Sequence, residues 1–326
     1  MLRTLSGIFT ALLFSAVAPA QAAQFSALYS FGDSLSDVGN YFINSGGTWP
    51  VSPYVDGQFS NGPLWVKGLS ATLGLGPVTA SLAGGNDYAY AGATTGFFGA
   101  SSDPWVQNSD QQVTTFLAAH HGAPSNGLYT FWIGINDLQV IVSSGVSQAM
   151  GLAEAQAAAA SEAAQITALA NAGARTFIVP LIPDLSITPP FHGQTLGGLI
   201  TSSYNTALEN DLAGLAGSLS GGLHFLDTVS LLDAVVADPP AFGFSDVTNP
   251  CYVRGPGGGV CATPDTYLFW SGVHMTAAAN ALIAKDAAAL LAPSPTPGDG
   301  LLSLGVLILI GLTRKKPEFL ARLSGT

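Results

Sequence analysis

The sequence predicts an α/β protein, a three-layer α/β/α sandwich around a central, mainly parallel sheet. Two observations carry that expectation. Short apolar runs alternate with Ala-rich helical stretches up to about residue 293, the pattern of a parallel sheet covered by helices. The chain of 326 residues is also long enough for one sizeable core once its ends are set aside, so a single domain over 23–292 is expected.

The elements follow in order. The first strand is expected at 26–31 and the next clear one at 128–133. Between them, 40–125 is rich in Gly, Ser, Pro and aromatics without firm periodicity, and reads as long loops above the sheet that would shape a substrate site. A helix over 147–172 stops at Gly173 and leads into a strand at 176–181. A helix over 199–219, a strand at 223–226 and a last helix over 276–291 complete the set. The Ala-rich stretch 155–164 reflects helix propensity, and no repeat of solenoid period is visible.

The two ends differ in kind from the domain. Residues 1–22 read as a secretory signal peptide: Arg3 gives the positive start, 8–17 the apolar centre and Ala20-Gln21-Ala22 the small-x-small cleavage site. A buried N-terminal helix is the alternative. Export implies an oxidising surrounding, in which Cys251 and Cys261 form a single local disulfide; two free thiols are the other reading. At the far end, 293–326 comprises a Pro-rich linker, an apolar run at 301–312 and the basic Arg314-Lys315-Lys316. A helix of a dozen residues reaches ~18 Å, short of the ~30 Å hydrocarbon core. The order of linker, apolar segment and basic cluster resembles the PEP-CTERM sorting signals of exported bacterial proteins, although the Pro-Glu-Pro triplet is absent. That resemblance implies contact with a membrane or sorting machinery through this tail, with the domain outside the cytoplasm. A last core helix is the alternative.

Composition narrows the partners. A net charge of -11 disfavours nucleic acid and anionic membrane surfaces, which would repel the protein.

Acyl transfer needs a nucleophile, a base and donors where negative charge develops on the carbonyl oxygen. Four places in the chain supply such groups. Phe31-Gly32-Asp33-Ser34-Leu35-Ser36-Asp37-Val38-Gly39-Asn40 follows a strand and sets Ser34 at a strand-to-loop corner. Gly84-Gly85-Asn86-Asp87-Tyr88-Ala89-Tyr90-Ala91-Gly92-Ala93-Thr94 presents Gly92, where no side chain blocks approach to the backbone N–H. Gly134-Ile135-Asn136-Asp137 offers the Asn136 amide, and Tyr267-Leu268-Phe269-Trp270-Ser271-Gly272-Val273-His274-Met275-Thr276 offers His274. Taken singly, each has a plainer reading: a turn glycine, a helix-capping Asn, a surface His.

Together and in this order they resemble the conserved blocks of the GDSL lipases and esterases, or SGNH hydrolases, over about 25–291. The resemblance implies a serine esterase without metal or organic cofactor, acting on a small-molecule, lipid or carbohydrate ester. Ser34 would be the nucleophile, His274 the base, and the Ser34 N–H, Gly92 N–H and Asn136 amide the oxyanion donors. Ser271 stands where the family has the aspartate that orients the base, and Met275 where it has proline. A serine hydroxyl or a backbone carbonyl would then hold the imidazole, or Asp265 would fold back. Asp184 reads as structural. Two other functions remain open here: a relative that binds acylated lipid or polysaccharide with little turnover, and an acyltransferase using the same residues. The aromatics Trp49, Tyr54, Phe59, Trp65, Phe97, Phe98 and Trp105 either line a site or pack the loops.

Overall fold

Every residue of β1 (Leu28–Gly32), β2 (Leu128–Trp132) and β3 (Thr176–Pro180) is buried. Continuous apolar runs of this kind form strands covered on both faces, where no side of the ribbon meets water. With β4 (Leu223–Leu226) they form a parallel sheet in the order β1-β2-β3-β4. The computed structural model describes residues 25–292. The expected signal peptide at 1–22 and the expected tail at 293–326 lie outside the described residues.

Beyond β1 the sheet gains a short irregular edge. The Ser30 N–H donates to the Asn86 carbonyl at 3.1 Å, the Tyr88 N–H to Ser30 at 2.7 Å and the Tyr90 N–H to Gly32 at 3.1 Å. Residues 86–90 thus flank β1 on one side while β2 flanks it on the other, so the chain reverses its direction of progress across the sheet at β1. Such a reversal opens a crevice at the carboxyl ends of the central strands. Ser34 follows the carboxyl end of β1.

Right-handed crossovers then decide where the helices go. The connection from β1 to the edge carries α1 (Asn40–Asn44) and α2 (Trp65–Thr72). Connections running the other way carry α3 (Ser109–His120), α4 (Ile135–Ser143), α5 (Gln148–Asn171) and α6 (Thr195–Ala216). After β4 come α7 (Thr228–Ala237) and α8 (Ala277–Ala289). In keeping with this division, α2 packs against α8 while α3, α4 and α6 pack against α5. On the α3 face, Phe116 meets Tyr29 and Phe31 edge-on at 5.2 and 5.3 Å, and the register partners Phe31 and Phe131 stack.

The stretch 40–125 corrects the expectation of loops. It holds α2, whose Trp65 is wholly buried, the sheet edge and α3. Ser109, Gln112, Val113 and Phe116 of α3 are buried at helical spacing, but two of the four are polar, so the stripe does not show as hydrophobicity. The expected helix at 199–219 starts earlier, at Thr195, across the unfavourable pair Gly197-Gly198.

A second, mixed sheet also went unforeseen: β5 (Asp246–Pro250) lies parallel to β8 (Tyr267–Ser271), which pairs antiparallel with β9 (His274–Met275). Between β5 and β8, the hairpin of β6 (Tyr252–Val253) and β7 (Gly259–Val260) is closed by the Cys251–Cys261 disulfide, S–S 2.00 Å.

Candidate active site

The corner after β1 is set by backbone geometry. Gly32 has φ +150°, and a Cβ there would collide with the Trp132 carbonyl oxygen. The Asp33 carbonyl accepts from the Ser36 and Asp37 N–H groups at 3.0 and 2.9 Å, turning the chain tightly so that Ser34 stands at its crest. Gln112 of α3 braces the strand end, accepting from the Gly32 N–H at 3.0 Å and donating to its carbonyl at 2.8 Å.

Asp37 joins this corner to the Gly92 loop. Its carboxylate accepts from Gly39, Asn40 and Tyr41 N–H groups at 2.8, 2.6 and 3.1 Å, and from the Ala91 N–H at 2.8 Å. Asp87 accepts from the Val38 N–H at 2.8 Å, and Asp137 from the Thr95 N–H and hydroxyl at 2.9 and 2.8 Å. Burial lifts these carboxyls against the pull of their donors: Asp33 to about 7, Asp37 and Asp137 to about 6, and Asp87 well above the usual range.

His274 opens β9 directly after the turn from β8, where Ser271 pairs with it across the strands. The Phe59 segment fixes that turn from outside: the Ser60 hydroxyl donates to the Met275 carbonyl at 2.9 Å, and Asn61 Oδ1 accepts from the Ala277 N–H at 2.7 Å. The imidazole lies against the Phe59 ring at 5.0 Å, and its Nε2 meets Ser34 Oγ at 2.8 Å. On the other side Nδ1 lies 3.1 Å from the Ser271 carbonyl oxygen and 3.3 Å from its hydroxyl, which in turn lies 2.8 Å from Tyr54 Oη. A carbonyl can only accept, so Nδ1 carries the hydrogen and Nε2 presents its lone pair to the Ser34 hydroxyl. Burial pushes the imidazole down to about 4, with the Ser271 carbonyl acting in the opposite direction. Asp265 does not fold back: it sits exposed in a short turn. Met275 is buried in β9, opposite Phe269. Asp184 caps a short turn, accepting from the Ser186 N–H at 2.7 Å.

Gly92 and Asn136 complete the surroundings. Gly92 has φ +79°, a left-handed turn that L side chains rarely adopt. Asn136 lies in the first turn of α4, its amide donating to the Ala93 carbonyl at 2.8 Å and its oxygen accepting from Gln139 at 3.2 Å. One cleft of about 290 Å³ is lined by Ser34, His274, Gly92 and Asn136, with Phe59 and Trp49 at its walls. Among the described residues, neither the Ser34 N–H nor the Gly92 N–H donates to another protein group. A second hollow of about 480 Å³ shares Gly92 and Asn136 and extends past Phe98 and Val140.

All four residues singled out from the sequence thus meet in one place, from segments separated by up to 240 positions. The aromatics divide: Trp49 and Phe59 line the cleft, Tyr54 touches Ser271, Trp65 is core, and Phe97, Phe98 and Trp105 are exposed. Sequence reasoning named Tyr54 only among aromatics that line a site or pack the loops, and missed Gln112, since neither belongs to a motif. Asp37 carried a signal of its own, an Asp two residues before a Gly at a turn.

A parallel α/β sheet with its cleft at the reversal point belongs to the open α/β class, which binds ligands at the carboxyl ends of its strands, and here that cleft holds a serine beside a histidine. The model of the family described as GDSL-like lipase/acylhydrolase matches residues 28–287, and the chain belongs to that family. A phosphatidylcholine-sterol acyltransferase of Aeromonas hydrophila is 30% identical over 281 residues, 82% of this chain and 79% of that protein. Lipase 1 of Photorhabdus luminescens is 37% identical over 180 residues, 55% of this chain but 25% of its own length. Among solved structures, an acetyl xylan esterase from Geobacillus stearothermophilus matches 83% of this chain and 100% of its own, at 14% identity and a TM-score of 0.45.

Proposed function

We propose that the protein hydrolyses carboxylic esters through an acyl-enzyme on Ser34, with His274 as general base. As Ser34 Oγ forms its bond to the carbonyl carbon, its proton passes to Nε2. The carbonyl oxygen, now negative, takes hydrogen bonds from the Ser34 N–H, the Gly92 N–H and the Asn136 amide hydrogen that Ala93 does not occupy. Collapse expels the alcohol, which leaves with the proton from Nε2. Water, deprotonated by the same nitrogen, then attacks the acyl-enzyme and frees the acid.

The observation that carries this reading is the 2.8 Å contact between Nε2 and Ser34 Oγ. It also counts against a relative that merely binds. In serine proteases, losing the orienting acid costs ~10⁴ when the wrong imidazole tautomer results. Here the Ser271 carbonyl selects the productive tautomer, so that loss does not apply in full.

The names of the relatives, and the exposed Phe97, Phe98 and Trp105, support a lipid ester as substrate. The signal-like 1–22 and the disulfide support export. The 293–326 pattern supports attachment or sorting at a membrane. A second reading, acyl transfer to an alcohol, is favoured by the relationship to the acyltransferase.

The test is hydrolysis of a p-nitrophenyl ester series of increasing acyl length. Ser34→Ala and His274→Ala are each expected to lower turnover by ~10³ or more, and a fluorophosphonate should label the parent chain but not Ser34→Ala. Full activity in Ser34→Ala would overturn the reading. Adding a long-chain alcohol distinguishes the second reading, since a transferase yields the new ester in place of the acid.

A further inference from the structure

We propose that Tyr54 is a positioning residue of the active site, acting on His274 through the hydroxyl of Ser271. The proposal rests on the serine esterase reading above.

The argument begins with what a hydroxyl lacks. A carboxylate only accepts, so beside an imidazole it leaves no choice of tautomer; a serine hydroxyl both donates and accepts, and its hydrogen rotates to suit its neighbours. Ser271 stands in the place of that carboxylate, and its Oγ lies 3.3 Å from Nδ1. Were its hydrogen to turn toward Nδ1, that nitrogen would be the acceptor, Nε2 would carry the hydrogen, and Ser34 would lose its base.

Two neighbours prevent this. The Ser271 carbonyl, 3.1 Å from Nδ1, requires the hydrogen to be on Nδ1. That hydrogen is then shared with Ser271 Oγ, whose own hydrogen must point elsewhere. Tyr54 Oη, 2.8 Å from Ser271 Oγ, is placed to receive it. The direction of donation is therefore Nδ1–H to Ser271 and Ser271 to Tyr54, with the negative end of each dipole facing the base. As Nε2 takes the Ser34 proton, the imidazolium is met by two oxygens held in that sense.

Tyr54 is built to stay in place. Its ring packs against Trp49 at 5.6 Å, Phe59 at 5.5 Å and Tyr252 at 5.5 Å, so Oη is aimed by three aromatic neighbours. Tyr252 follows the disulfide-bonded Cys251, and Phe59 touches the imidazole itself. The same cluster that walls the cleft thus orients the hydroxyl behind the base.

The experiment is a double-mutant cycle on ester hydrolysis, with Tyr54→Phe, Ser271→Ala and the two combined. Tyr54→Phe keeps the ring and removes one oxygen. It is expected to lower kcat about fivefold to tenfold, the worth of a neutral hydrogen bond, with KM unchanged. In the Ser271→Ala background the same change should cost nothing further. An equal loss in both backgrounds, a rise in KM with kcat intact, or no loss in the parent would overturn the proposal. Thermal melts of all four proteins separate misfolding from loss of function. Ser34→Ala assayed alongside keeps the two readings apart: its survival would overturn the esterase mechanism, whereas an inert Ser34→Ala with an uncoupled Tyr54 would overturn this inference alone.

Discussion

In the proposed mechanism His274 has to be neutral to take the Ser34 proton, and burial keeps it so while making it a weaker base. An imidazole with the ordinary value of about 6.5 is half-charged in mildly acidic solution and cannot then accept the Ser34 proton. Burial moves this one down to about 4. If the neutral ring is the active form, activity is expected to be kept as pH falls below 6 and lost as it falls through about 4. A profile of kcat/KM against pH checks this, and a midpoint near the ordinary value would contradict it. Ser271→Asp places a negative charge behind Nδ1, favours the imidazolium and should move that limb to higher pH. At this scale the four residues expected to do the chemistry were legible because each sits in a block of recognisable neighbours. Tyr54 was readable only as an aromatic of the loops, because its contact with Ser271 joins residues 217 positions apart.

Elements, more than single side chains, bring the parts into register. Asp37 carries the largest share of that task, with four N–H donors from the Ser34 corner, α1 and the Gly92 loop gathered on one carboxylate. Asp37→Ala strands those donors in a buried place. A loss on the order of 3–5 kcal/mol is expected, at about 1–3 kcal/mol for each donor that finds no water. Urea unfolding measures it, and a loss below 1 kcal/mol would mean that solvent takes over the role. The strands of the main sheet were readable from their apolar runs. By contrast, α3 hid its inward stripe behind Ser109 and Gln112, of which the latter is there to brace Gly32. The β8–β9 turn was recognisable by its motif, while its sheet partner β5 offers Asp246, Asn249 and Pro250, a sequence no strand pattern would select.

The whole molecule carries an unusual load of buried acid. Asp33, Asp37, Asp87, Asp137 and Glu162 are all buried, and all hold their protons to higher pH than free carboxyls do. Groups raised in this way favour the folded state most below their unfolded values of about 4. That contribution is lost as pH rises through about 6 for Asp37 and Asp137 and about 7 for Asp33. His274, lowered to about 4, and His120, also lowered by burial, work in the opposite sense, but they are two groups against five. The protein should therefore melt at a higher temperature at pH 5 than at pH 8, and a flat or inverted trend would contradict the assignment.

The 240 positions between Ser34 and His274 have a bearing on the life of the chain before it is finished. The hydroxyl emerges with the first strand, the imidazole with the last hairpin. A copy that stops short of that hairpin carries the hydroxyl without its imidazole partner, so the pair forms only once the chain has folded through to β9.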